Sequence, residues 1–148
     1  MATHIPRMSE ADEQIVVIKW ANMMASKYPC LKYLFHIPNG GSRNIAEAAN
    51  LKRMGVKSGV PDLCLPYPSN GYHGLYIEMK TDKGRSTAAQ REYIDFLTEQ
   101  WYKATVCHGA SEAINVIWKY LTENVKEYDM LESENREQGV YVRRDKCL

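Results

Sequence analysis

Two short apolar runs on either side of a turn-forming break constrain this chain more than any other feature. Gly59-Val60-Pro61-Asp62-Leu63-Cys64-Leu65 is followed by a Pro/Ser/Asn/Gly stretch from Pro66 to Gly71, then by Gly74-Leu75-Tyr76-Ile77-Glu78-Met79-Lys80. In the second run Leu75, Ile77 and Met79 alternate with Tyr76, Glu78 and Lys80. That period of two predicts a strand that buries the first set and aligns the second on its opposite face. Asn70-Gly71 is a strong hairpin signal, so the chain turns back and brings the Asp62 carboxylate beside that of Glu78. Two carboxylates and one ammonium converge.

Such a convergence has a chemical use. Mg²⁺ binds through one or two carboxylates, keeps several waters and contacts phosphate oxygens. An adjacent lysine steadies hydroxide or the charge that develops as a phosphodiester is cleaved. An isolated Glu-x-Lys on a strand is far more often a pair of charges facing water. Asp62, set behind a Gly-x-Pro turn in the arrangement D-x₁₅-E-x-K, favours the site over that reading.

Gly59-Val60-Pro61-Asp62-Leu63 together with Glu78-Met79-Lys80 resembles the PD-(D/E)XK nuclease signature, in the variant carried by VRR-NUC domains. Those domains also tend to have a helix bearing a Glu, an Ile-Pro-Asn-Gly segment and a Gln on the helix after the Lys. Glu13, Ile37-Pro38-Asn39-Gly40 and Gln90 match these in order. The resemblance spans about residues 9 to 121, and the ordered set is far more specific than Glu-x-Lys alone. It implies a restriction-endonuclease-like core and catalysis with Mg²⁺, for which Mn²⁺ substitutes. Asp62 and Glu78 are then the metal ligands, with a backbone carbonyl of Val60 or Met79, and Lys80 acts electrostatically or on the attacking water. Glu13 becomes a third acidic group near the metal, with Glu10 one turn earlier as the alternative. His36, Asn39 and Arg43 become candidates for DNA contact. Stand-alone members of the family imply a homodimer.

Composition sets wider bounds. The chain has 148 residues, 45% hydrophobic and 25% charged, as expected of one globular domain over residues 1–148, with residues 122–148 as a C-terminal extension. No run of apolar residues is long enough for a membrane span, and residues 1 to 9 lack a signal peptide's apolar core, so cytoplasmic residence is expected. Cys30, Cys64, Cys107 and Cys147 form no Cys-x-x-Cys, which points to free, buried thiols. Formal net charge is only +1, against binding nucleic acid by bulk charge. Charge is unevenly placed, however: residues 36 to 91 hold eight Lys/Arg against four acids, whereas residues 122 to 148 hold five against seven.

Along the chain, Ser9 with Glu10, Ala11 and Asp12 reads as an N-cap and first turn of a helix to about Ser26. The all-round apolar run Ile15 to Ile18 predicts a well-buried helix. Glu13, Val17, Trp20, Ala21 and Met24 share one face, which turns Glu13 inward unless it merely complements the helix dipole. Tyr33 to Ile37 reads as a strand ended by Pro38-Asn39-Gly40-Gly41, whose glycines and Arg43 would either connect strand to helix or present donors to a phosphate. His36, without a partner at metal-ligand spacing, reads as a partly buried histidine. A helix over Asn44 to Met54 ends at Gly55, where Lys52, Arg53 and Lys57 suit the helix dipole or grip phosphates. Lys83 and Arg85 lie in a basic loop before a helix opened by a Thr87/Gln90 capping box, with Gln90, Tyr93, Ile94, Leu97 and Trp101 on one face. Ala104 to Cys107 reads as a strand and Ser111-Glu112 as the cap of a last helix.

These elements predict an α/β sandwich with a mixed sheet between helices. The function expected is a Mg²⁺-dependent endonuclease on branched DNA, four-way junctions in particular, without membrane or nucleotide cofactor. The alternative is a nuclease or DNA-binding accessory subunit of a replication or recombination complex, cutting flaps or DNA non-specifically.

Overall fold

The computed structural model describes residues 8–39 and 44–123. In chain order they form α1 (Glu10–Met24), a 3₁₀ turn (Pro29–Tyr33), β1 (Phe35–His36), α2 (Ile45–Arg53), β2 (Leu63–Leu65), β3 (Leu75–Lys80), α3 (Ala88–Glu99), β4 (Lys103–His108) and α4 (Ala110–Thr122). The strands make one four-stranded sheet in the order β1-β2-β3-β4. Its first two pairings are antiparallel, and β3 runs parallel to β4. Helix α3 is the crossover that a parallel pair requires.

The hairpin forms at the expected place. Asn70 and Gly71 have φ of 57° and 76°, the left-handed pair that a tight two-residue turn needs. Ser69 and Tyr72 exchange main-chain hydrogen bonds across it at 3.1 and 2.9 Å. Leu63 pairs with Ile77 and Leu65 with Leu75, so one more step of the register sets Asp62 opposite Glu78.

Local caps explain the helix boundaries. Ser9 and Asp12 reciprocally cap α1, as Thr87 and Gln90 cap α3. Asn44 accepts the Glu47 N–H at the start of α2, and Gly55, at φ 100°, closes its end by donating to Lys52. Each such cap contributes about 1 kcal/mol. Helix α4 instead starts at Ala110, before Ser111, and its N-cap Gly109 offers no side chain.

Helices α1 and α4 cover the face of the sheet that carries Leu63, Leu65, Leu75, Ile77 and Met79, with Val17, Ala21, Ala113 and Ile117 between them. Helix α3 lies on the other face. Both faces of β3 are therefore enclosed, which excludes the solvent-facing alternative for Glu78 and Lys80. Cys30, Cys64 and Cys107 are buried and form no disulfide among the described residues, and Cys147 lies outside them.

Several expectations are corrected. Helix α1 is only half buried, because Val17 and Ala21 face the core while Ile15, Val16 and Met23 face outward. Tyr33 belongs to the 3₁₀ turn, since Pro29 and the Leu34 N–H to Leu31 bond keep the chain coiled before β1 begins. Trp101 leaves the apolar face of α3: the helix ends at Glu99, Trp101 has φ 63°, and its side chain is exposed. His36, on the edge strand, is exposed too. Residues 124–148, with the apolar positions Val125, Tyr128, Met130, Leu131, Val140, Tyr141 and Val142, lie outside the described residues.

Candidate active site

The C-terminal half of β3 and the segment entering β2 build the site. Glu78 is 1% exposed and Lys80 7%, both enclosed between sheet and helices. Lys80 Nζ donates to Glu78 Oε1 at 2.6 Å and to the Met79 carbonyl at 3.2 Å. Gln90, from the first turn of α3, donates through Nε2 to the same Glu78 Oε1, while its Oε1 accepts the Thr87 N–H. Gln90 thus caps α3 and at the same time touches the site. Asp62 Oδ2 accepts the Met79 N–H at 2.8 Å, which ties the Asp62 carboxylate to the strand carrying Glu78.

Burial dominates the electrostatics. It raises the Glu78 carboxyl above its ordinary value; the Lys80 hydrogen bond opposes this, and the charges of Asp62 and Glu10 reinforce it. Burial works against the Lys80 ammonium as well. The bond and charge of Glu78, with Glu10 and Asp62 behind, outweigh it and raise the lysine. Lys80 is therefore a cation at neutral pH.

The acid that α1 brings to Lys80 is Glu10, with Oε2 3.9 Å from Nζ. Glu13 points elsewhere: its Oε2 accepts the Ala110 N–H at 2.7 Å, at the uncapped start of α4. Of the two α1 acids that the sequence offered, Glu10 stands beside Lys80, while the Glu13 carboxylate is engaged as a helix cap.

Glu78 Oε2 is buried and has no hydrogen-bond partner among the described residues. An orphaned buried carboxylate oxygen is costly, and a cation would satisfy it. Among the described residues no group of three or more His, Cys, Asp or Glu side chains is placed to hold a metal ion. The donor set is an open pair of carboxylates, which suits a hard cation that keeps its waters better than zinc.

The VRR-NUC domain model matches residues 8–111. The chain belongs to the VRR-NUC family. A solved structure described as a VRR_NUC domain protein is 36% identical, with a TM-score of 0.68, over 79% of this chain and 91% of the other. No curated protein matches the chain. The VRR-NUC assignment makes this a nuclease domain on an α/β fold with a mixed, helix-flanked sheet.

The remaining candidates of the VRR-NUC domain fall into two groups. Lys52, Arg53 and Lys57 are exposed at and beyond the end of α2, and Lys83 and Arg85 are exposed between β3 and α3. His36 and Asn39 instead bond main-chain carbonyls, Asp62 O at 2.9 Å and Val60 O at 2.9 Å. Arg43 lies outside the described residues. The Met79 and Val60 carbonyls proposed for metal each accept one side-chain hydrogen bond, from Lys80 and Asn39, and a carbonyl keeps a second lone pair. His108, the last residue of β4, contacts Gly84 O through Nε2 and so holds the basic loop. No spacing in the sequence signals that contact. Among the described residues no helix is long and apolar enough to cross a membrane.

Proposed function

We propose that this chain is a Mg²⁺-dependent endonuclease that hydrolyses phosphodiester bonds in branched DNA, acting as a homodimer. The observation that carries the reading is the buried Glu78–Lys80 pair beside half-buried Asp62, with a Glu78 oxygen that has no hydrogen-bond donor among the described residues. Asp62 and Glu78 would hold the cation, with Glu10 at the edge of the site. A bound Mg²⁺ supplies Lewis-acid polarisation of a phosphate oxygen and a more acidic water.

The chain's own residues do the rest. Gln90 and Lys80 both hold Glu78 Oε1, which leaves Oε2 for the cation. Lys80, charged at neutral pH, stabilises the negative charge that grows on the phosphoryl oxygens. Exposed Lys52, Arg53, Lys57, Lys83 and Arg85 supply phosphate contacts that position DNA without reading its sequence.

One site per chain makes one nick. Resolution of a four-way junction takes two, related by approximate two-fold symmetry, which a closed dimer provides. A panel of duplex, flap, splayed and four-way DNA with Mg²⁺ tests substrate and metal together, and light scattering tests the assembly. Expected are paired symmetric nicks on the four-way junction and a mass about twice that of the chain. A monomer that cuts linear duplex equally well, or activity that survives chelation, overturns the proposal.

A further inference from the structure

We infer that His36 and Asn39 are positioning residues for the Asp62 carboxylate, acting through the main chain of residues 60–62 rather than on nucleic acid. The inference rests on the metal-site reading above. Three supports converge on this short segment. Asn39 Nδ2 donates to Val60 O at 2.9 Å. His36 Nδ1 lies 2.9 Å from Asp62 O, and the Ile37 N–H donates to the same oxygen at 2.7 Å. Behind them, Gly59 at φ 84° lies against the first turn of α3, where a Cβ would overlap the Ala89 carbonyl. A carbonyl only accepts, so His36 Nδ1 carries the proton, in the neutral ring and in the charged one alike.

The segment so gripped carries the one side chain that must meet Glu78. Asp62 Oδ2 reaches the Met79 N–H only if its main chain stays at this depth beside β3. Strand β2 begins at Leu63, after Asp62, so sheet pairing alone does not secure it. Residues 36–39 supply the missing hold. Loosened support for a metal-binding carboxylate typically costs about tenfold to a hundredfold in metal affinity or activity.

The test uses the full chain and two readouts: Mn²⁺ binding by calorimetry, and DNA affinity in Ca²⁺, which supports binding without turnover. Asn39→Asp is isosteric but turns an acceptor toward Val60 O, and His36→Ala removes the donor. His36→Asn returns an amide N–H near the Nδ1 position. Expected are a Mn²⁺ Kd raised about tenfold in the first two, recovery in His36→Asn, and DNA affinity unchanged within about threefold. In cleavage the same variants lower kcat and leave KM. If Asn39→Asp fails to fold, the His36 pair carries the test alone. DNA affinity lost with Mn²⁺ binding intact would make both residues DNA contacts and overturn the inference, as would no change in either. A wild-type chain that takes no Mn²⁺ overturns the metal site itself. One that binds Mn²⁺ yet cuts no DNA overturns the proposed function and leaves this inference standing.

Discussion

Glu13 and Ala110 are 97 residues apart in sequence, yet the Glu13 carboxylate accepts the Ala110 N–H at 2.7 Å. The contact joins α1 to the start of α4, where Gly109 has no side chain to offer. A carboxylate there satisfies an orphan donor and complements the helix dipole. Glu13→Ala should therefore destabilise the fold by about 1–2 kcal/mol in urea denaturation, with Glu13→Gln losing less because its amide oxygen still accepts. An unchanged midpoint for Glu13→Ala would show that water caps α4 equally well.

Glu10 and Glu13 should separate cleanly by readout. Glu10 has its carboxylate by Lys80, so Glu10→Gln should raise the half-saturating Mg²⁺ concentration several-fold and leave stability within about 0.5 kcal/mol. Glu13→Ala should do the reverse. Mg²⁺ titrations of cleavage, set beside denaturation curves, check both; a greater loss of metal response in Glu13→Ala would return Glu13 to the site.

Asp62→Asn and Glu78→Gln each remove charge and little volume, so both should abolish cleavage while DNA affinity in Ca²⁺ stays within about threefold. Lys80→Met should lower kcat by about a hundredfold with metal still bound, since the lysine acts on developing charge. Wild-type turnover in the Asp62/Glu78 double variant would end the metal proposal.

The raised Glu78 carboxyl gives a pH signature. Its ordinary value is 4.5, and the fold holds the proton more tightly than the unfolded chain does. The stability contributed by that proton is present below the unfolded value and is lost as pH rises through the folded one. Cation binding needs the ionised carboxylate, so it runs the other way. The Mg²⁺-induced rise in Tm should be absent near pH 4, grow through the folded value of Glu78 and vanish in Glu78→Gln across about pH 4–8. A metal-induced shift that ignores pH would take Glu78 out of the site.

Gly59→Ala should cost at least about 2 kcal/mol, from the left-handed φ and the overlap with Ala89 O together. Because that overlap displaces the turn that carries Gln90, kcat should fall in whatever fraction remains folded. Thermal melts and single-turnover cleavage check the two effects.

Asp62, Glu78, Lys80 and the hairpin were legible because their signals are local. A period of two and an Asn-Gly turn determine the register, and register alone brings residues 62 and 78 together. The capping box at Gln90 was equally local, but its reach to Glu78 needed the crossover. Glu13 shows the limit: helical spacing turned it inward and could not say that the start of α4 waited there. Nor could it tell that Ile15 and Val16 look outward, since an apolar run does not name which of its sides meets the sheet. His36 and Asn39 bond main-chain carbonyls, and such bonds leave no residue pattern. Trp101 kept helical spacing beyond the point where the helix had ended.

Helix α4 is held by distant side chains at both ends. Glu13 takes its first N–H, while Ser69 Oγ and Asn70 Nδ2, from the tip of the hairpin, donate to the Tyr120 carbonyl at 2.6 and 3.0 Å. Terminal turns normally fray, exchanging amide protons far faster than the middle of a helix. Here neither end can open without releasing α1 or the hairpin, so the Ala110 amide and the last turn should exchange in step with Ile117 at the helix centre. The same fasteners tie helix formation to long-range closure, so α4 should dock after the hairpin and α1 are in place, which folding rates of Glu13 and Ser69 variants check.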